Sequence, residues 1–174
     1  FRESKTIISE TFFTSSPDQL YLETNGVIAN CKNNRITVYG SMQCPFFVKN
    51  AVAEATGLSP EQIRVIQTVT GGAFGGKEEY PSLLAAQAAI ASLKTRKPVR
   101  LVLDRKEDLE ASTKRHPAKM KYRLAINEKQ EITAINIDIS FDGGAFATIS
   151  PVVLQRGMFT ATGVYHFPHI RVKG

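Results

Sequence analysis

Gly71-Gly72-Ala73-Phe74-Gly75-Gly76-Lys77-Glu78 concentrates four of the chain's 12 glycines around one aromatic ring, then sets a cation beside an anion. Arg64-Val65-Ile66-Gln67-Thr68-Val69 leads into it as a strand, and an alanine-rich helical pattern follows. Glycines in such a loop let the main chain turn sharply and bring backbone N–H groups close to a ligand. From Gly71 to Lys77 the spelling fits the first seven positions of the phosphate-binding pattern G-x-x-x-x-G-K-[ST]. The eighth position is Glu78, where a nucleotide loop needs a hydroxyl on Mg²⁺. A carboxylate there repels phosphate, and no strand ending in an acidic residue supplies a second metal ligand. A loop-bound cofactor other than a nucleoside triphosphate is therefore expected ahead of a nucleotide triphosphatase.

The 174 residues make one domain, or two small ones sharing a core. A hydrophobic content of 43% is enough to build a core. No apolar run approaches the roughly 20 residues that span a bilayer, so no membrane is expected. Phe1-Arg2-Glu3-Ser4-Lys5 has no apolar stretch of the kind a signal peptide needs, and the missing initiator Met suggests that Phe1 is not a natural start. Cys31 and Cys44 form neither a metal spacing nor a disulfide framework, and read as two reduced thiols of a cytoplasmic protein. The net charge of +6 raises the question of nucleic acid. The cations are scattered, with Asp104, Glu107, Asp108 and Glu110 among them, and no nucleic-acid motif accompanies them. A solvated basic face is favoured, an anionic cofactor or acidic partner comes next, and nucleic acid is ranked last.

Strands and helices are mixed without a regular alternation, which gives the class α+β, mixed sheets with packed helices. Residues 6–13 and 35–41 read as strands, and Tyr21-Leu22-Glu23 and Val27-Ile28-Ala29 as short runs about a hairpin turn at Asn25-Gly26. Pro45 opens a helix whose expected apolar face is Phe46, Phe47, Ala51, Val52 and Ala55, with Gly57 as its stop. Ser59-Pro60-Glu61-Gln62 reads as a turn or cap. Pro81 starts a second helix running to about Leu93, rich in small residues that permit close packing. Residues 98–103 read as a strand and 105–110 as a short polar helix. Alternation over Met120, Tyr122, Leu124 and Ile126, then over Ile135, Ile137, Ile139 and Phe141, predicts a hairpin with one buried face and a turn at 127–130. A helix over about 150–160 carries Arg156, and His169-Ile170-Arg171-Val172 begins a last strand.

The glycine loop resembles that of the xanthine dehydrogenase/aldehyde oxidase family of molybdenum hydroxylases, which has a third glycine where this chain has Ala73. Ser41-Met42-Gln43 with Pro45 resembles the family's S-T-Q segment, with Met42 in place of Thr. Lys97-Pro98-Val99-Arg100, Leu103-Asp104-Arg105-Lys106-Glu107-Asp108, Arg115-His116-Pro117 and Asp142-Gly143-Gly144-Ala145 also have counterparts, in the family's order, over nearly the whole chain. The resemblance implies the N-terminal part of a molybdopterin-binding domain over residues 1–174. It implies a molybdenum–molybdopterin cofactor, with a cytosine dinucleotide form among the alternatives. It places Gln43 as a hydrogen-bond donor to an oxo ligand of the metal and the Phe74 and Gly75 backbone, with Gly76, against the molybdenum centre. Without it, Gln43 would read as a polar neighbour of a helix start.

Glu78 and Arg156 match positions that face substrate in the purine-oxidising members. A carboxylate can accept from a ring N–H while a guanidinium donates to a carbonyl oxygen. Aldehyde-oxidising relatives tend to be apolar there, so a purine or similar N-heterocycle is expected. The competing account pairs Glu78 with Lys77 and leaves Arg156 on the surface of its helix. Lys77 is expected to anchor the loop, His116 to be structural, and Asp108 to cap a helix or pair with a basic neighbour. His166 and His169 lack metal-ligand spacing.

The implied reaction is hydroxylation of an electron-poor carbon with water as the oxygen source. Electrons would leave through 2Fe-2S clusters and FAD on other domains or subunits. The family's arginine-bearing R-G-F-G segment and terminal glutamate base would lie beyond Gly174, so the isolated chain is expected to hold little molybdenum and to be inactive. The remaining alternative is a non-catalytic basic domain whose glycine loop takes an anionic ligand.

Overall fold

The computed structural model describes Phe1 and residues 4–174; Arg2 and Glu3, part of the stretch considered for a leader, lie outside the described residues. Along the chain run β1 (Thr6–Thr14), β2 (Gly26–Lys32), β3 (Arg35–Gly40), α1 (Pro45–Thr56), β4 (Ile63–Gln67) and α2 (Tyr80–Thr95). They are followed by β5 (Val99–Val102), α3 (Arg105–Ala111), β6 (Ala118–Ile126), β7 (Ile132–Phe141), α4 (Ser150–Phe159) and β8 (His169–Lys173). The mixture is α+β as expected. The chain divides into two compact units, Pro17–Lys114 and the pair of segments Phe1–Ser16 and Arg115–Gly174.

In the unit Pro17–Lys114 the strand order is β4-β3-β2-β5. β3 pairs parallel with β4, while β2 pairs antiparallel with both β3 and β5. Period-2 alternation sends Val27, Ala29 and Cys31 of β2 and Ile36 and Val38 of β3 into one core with Val48 and Val52 of α1 and Leu84, Ala85, Ala88 and Ala89 of α2. The small residues of α2 are those buried deepest, which is the close approach their size predicts. Pro45 and Pro81 each sit in the first turn of their helix, and Gly57 ends α1 in the left-handed region, with φ 70°.

Two expectations change in this unit. The hairpin turn is Asn33-Asn34, with φ 49° and 59°, joining β2 to β3; Asn25 is instead a buried residue just before β2, and residues 21–23 are not a strand. Asparagine tolerates the left-handed backbone that a two-residue primed turn requires, so Asn-Asn suffices without glycine. The buried side of α1 is set by Val48 and Val52, one turn apart, while Phe46 and Phe47 in its first turn are exposed.

In the other unit the order is β1-β6-β7-β8, with β1–β6 and β6–β7 antiparallel and β7–β8 parallel. Ile135, Ile137 and Ile139 of β7 form its core, packed by Met120, Tyr122 and Leu124 of β6, Leu154 of α4 and Phe167. The Asn127 side chain closes the β6–β7 turn by accepting from the Lys129 and Glu131 N–H groups. His116 is structural, its Nε2 lying 2.7 Å from the Ser150 hydroxyl at the start of α4.

Candidate functional site

The glycine loop, which connects β4 to α2, is built on the segment before β2. The Glu23 N–H donates to the Gly71 carbonyl at 3.1 Å, and the Gly71 N–H donates back to Glu23 Oε2 at 2.7 Å. At its middle, the Gly76 N–H closes a turn on the Ala73 carbonyl at 2.8 Å. The two central residues of that turn, Phe74 and Gly75, have φ 51° and 91°. A phenylalanine in the left-handed region is strained, and such residues gather at functional sites. The Phe74 side chain is 76% exposed.

The glycines have different jobs. A Cβ on Gly71 would lie 2.6 Å from Glu23 Cβ, and one on Gly76 would lie 2.4 Å from Tyr21 Cε1. These two make room for the loop's own supports. Beside Gly75 a Cβ would meet nothing within 4 Å, so there the glycine supplies backbone freedom on an open side. Ala73, where the resembled family has glycine, is buried and is not among the positive-φ residues, so its methyl group is accommodated. Met42, where the family has Thr, is fully buried in the core and leaves the exposed loop surface to its neighbour Gln43.

Gln43 is bound to the loop three times. Its N–H donates to the Lys77 carbonyl at 2.8 Å, and its Oε1 accepts from the N–H groups of Gly75 at 3.1 Å and Lys77 at 3.2 Å. Only the carbonyl end of an amide can accept from N–H, so these contacts fix which end is which. Among the described residues no hydrogen bond engages Gln43 Nε2, and the residue is exposed. The loop thus presents an oriented pair of N–H donors.

Lys77 does anchor the loop. It is fully buried, with Nζ 2.9 Å from Glu23 Oε2, 3.0 Å from Ser41 Oγ and 4.9 Å from the centroid of the Tyr21 ring. The local pairing with Glu78 is replaced by this pairing with Glu23, which lies 54 residues away in the chain. Burial acts to raise the Glu23 carboxyl pKa, but hydrogen bonds from Lys77, from the Gly71 N–H and from Ser41 hold it below its usual value. Glu78 is half-buried and makes no ion pair among the described residues. Its charge is felt at Cys44, whose thiol is pushed up by burial and then by Glu78 and Glu79.

Beneath the loop, Tyr21 is fully buried, and its hydroxyl donates to Asp108 Oδ1 at 3.2 Å. Asn25 Nδ2 donates to the same oxygen at 2.7 Å. Burial pushes the Tyr21 phenol up, and the Asp108 charge adds to it. Arg105 Nη2 donates to the carbonyls of Tyr21 and Leu22 at 2.9 and 2.6 Å. The cap of α3 is Asp104, in a capping box with Glu107; Asp108 lies a turn further on as a buried acceptor, with Arg105 Nη1 3.7 Å from its Oδ2. Glu23, Tyr21 and Arg105 stand in the short segments named from the sequence, but no role at the site follows for them from the sequence. The visible signal was a lysine inside a glycine loop that had to be buried, and hence needed a distant carboxylate.

Gln43, Phe74, Gly75, Gly76 and Glu78 therefore meet within the unit Pro17–Lys114, whereas Arg156 stands exposed on α4 of the other unit. Among the described residues no group of three or more His, Cys, Asp or Glu side chains could hold a metal ion. No helix there is long and apolar enough to cross a membrane.

Over residues 1–174 the sequence matches the family described as molybdopterin cofactor-binding domain. The chain belongs to that family. It is 32% identical over 176 residues to a xanthine dehydrogenase of Blastobotrys adeninivorans, an alignment taking in 100% of this chain and 12% of that protein. It is 35% identical over 162 residues to an indole-3-acetaldehyde oxidase of Zea mays, covering 92% of this chain and 12% of that protein. Its fold matches the aldehyde oxidoreductase of Desulfovibrio gigas with a TM-score of 0.87 at 20% identity, over 99% of this chain and 19% of that one. The chain thus spans 12% of the length of these two curated relatives.

Proposed function

We propose that this chain forms one wall of the molybdenum–pterin site of a hydroxylase acting on a purine or similar N-heterocycle. The observation that carries the reading is Gln43: its carbonyl end is tied to the Gly75 and Lys77 N–H groups, which leaves its amide nitrogen without a hydrogen bond among the described residues. The residues fit the group. A neutral, directional donor suits a metal oxo ligand, and the open side of Gly75 leaves space for close approach. When bound, the cofactor supplies the oxidation of an electron-poor carbon with oxygen from water.

The chain's own contribution is binding and orientation. Gln43 donates to the cofactor. Phe74 and Gly75 present backbone to it, with Gly76 letting the loop seat on Tyr21. Glu78 accepts from a ring N–H of substrate, and Arg156 donates to a carbonyl oxygen as charge builds there. Xanthine dehydrogenases and aldehyde oxidases both stand among the relatives, and the purine preference rests on the two charges Glu78 and Arg156. Residues 1–174 would be the N-terminal part of the cofactor domain. The rest of that subunit, with 2Fe-2S and FAD carriers, would complete a cytoplasmic enzyme.

In the intact protein Gln43→Leu is expected to lower molybdenum content or turnover by about 10–100-fold, as losses of outer-shell partners commonly do. Elemental analysis and steady-state rates measure this, and full retention of both removes the Gln43 assignment. Glu78→Val with Arg156→Met is expected to cut purine turnover by about 100-fold or more while sparing aldehydes. Unchanged purine turnover would leave the substrate class unsupported.

A further inference from the structure

We propose that Glu23 and Lys77 are a positioning pair for the cofactor contact: by pinning both ends of the glycine loop, their bridge holds the Gly75 and Lys77 N–H groups on Gln43 Oε1 and so aims the Gln43 amide nitrogen. The inference rests on the function proposed above. Glu23 Oε2 takes the Gly71 N–H at 2.7 Å and Lys77 Nζ at 2.9 Å, so one oxygen joins the first residue of the loop to the seventh. Between them lies the strained turn at Phe74 and Gly75, with φ 51° and 91°, closed internally by the Ala73–Gly76 hydrogen bond. Beyond the bridge, Lys77 sends its backbone N–H and C=O to Gln43, at 3.2 and 2.8 Å. The lysine side chain and the glutamine contact are therefore parts of one residue's placement.

Polar and charged groups of several elements surround the pair, including Arg100 of β5, which lines one concavity with Glu23 and Ser41. Ser41 gives the ammonium a second oxygen from the end of β3, and the Tyr21 face lies 4.9 Å from Nζ. Arg105 of α3 grips the carbonyls of Tyr21 and Leu22, which sets the chain just before Glu23. Removing Glu23's charge leaves a buried ammonium without its counter-ion, and that residue must shift toward water. Removing the ammonium frees Glu23 to rotate, since its side chain is 42% exposed. Either change releases the loop from one end.

The test uses Glu23→Gln, Lys77→Met and the double variant of the intact protein, read by amide hydrogen exchange at positions 75 and 77, thermal unfolding, and pterin released per folded molecule. Each single variant is expected to speed exchange at both amides by about tenfold or more and to lower retained pterin. The double variant, which removes both charges together, is expected to regain thermal stability without regaining slow exchange. Unchanged exchange in the single variants, or its full recovery in the double variant, overturns the proposal and leaves the pair a stability element. A wild-type protein that retains no pterin would instead strike the proposed function, while the exchange data still decide whether the Glu23–Lys77 bridge holds the loop.

Discussion

At the level of single residues, the glycine loop separates what spelling shows from what packing adds. Its four glycines were legible as a run, but their reasons were not. Gly76 is enforced by the Tyr21 ring, which a Cβ would approach to 2.4 Å, and Gly75 by its φ of 91° on an open side. Gly76→Ala should therefore cost about 1–3 kcal/mol through overpacking. Gly75→Asn should cost about 1 kcal/mol, because Asn tolerates positive φ and meets no neighbour there. Chemical denaturation of the two variants ranks them, and the reverse order would show that the loop does not seat on Tyr21. The same distinction explains why Gln43 could be singled out from its resemblance while Glu23 could not. Both stand in recognisable segments, but the resemblance gives a role to Gln43 alone, and Glu23 acquires its meaning through a bridge across 54 residues to Lys77.

At the level of elements, local chemistry decided most of what could be read. Alternation gave the β6–β7 hairpin, and the helix starts at Pro45 and Pro81 came from proline's fixed φ. The failures share a cause. Asn25-Gly26 carries the stronger turn dipeptide, yet Asn25 is drawn into the buried network on Asp108, and the chain turns eight residues later at Asn33-Asn34. A long-range polar contact thus outweighed a local preference. Hydrophobicity alone would turn Phe46 and Phe47 inward with Val52, but it is the β-branched pair Val48 and Val52 that enters the core. The turn assignment is testable. Asn34, at φ 59°, should tolerate glycine with little or no loss, whereas Asn34→Ala should destabilise by about 1–2 kcal/mol. Denaturant midpoints of the two variants measure the difference, and equal stability would mean that residue 34 does not occupy a left-handed turn.

At the level of the whole molecule, length and composition allowed one domain or two small ones sharing a core, and the chain resolves into two compact units, each with its own hydrophobic cluster. The electrostatics within one of them are invisible in the net charge. Asp18 and Glu23, whose carboxyl groups are held below their usual pKa, both belong to Pro17–Lys114. For Asp18 burial acts upward, but the Leu20 N–H and Lys114, 3.0 Å away, prevail. A carboxyl whose folded pKa is depressed contributes stability that is present above its unfolded value, near 4, and is lost as pH falls through the folded value. The unit Pro17–Lys114 should therefore hold its amide protection from neutrality down to about pH 4 and lose it progressively below. Glu23→Gln should start from lower protection at pH 7 and then fall less steeply, because one of the titrating groups has gone. Hydrogen exchange followed from pH 7 to 2 reads both the onset and the slope. An acid loss in the Glu23→Gln protein as steep as in the unaltered one would place the sensitivity elsewhere than in the bridge that holds the glycine loop.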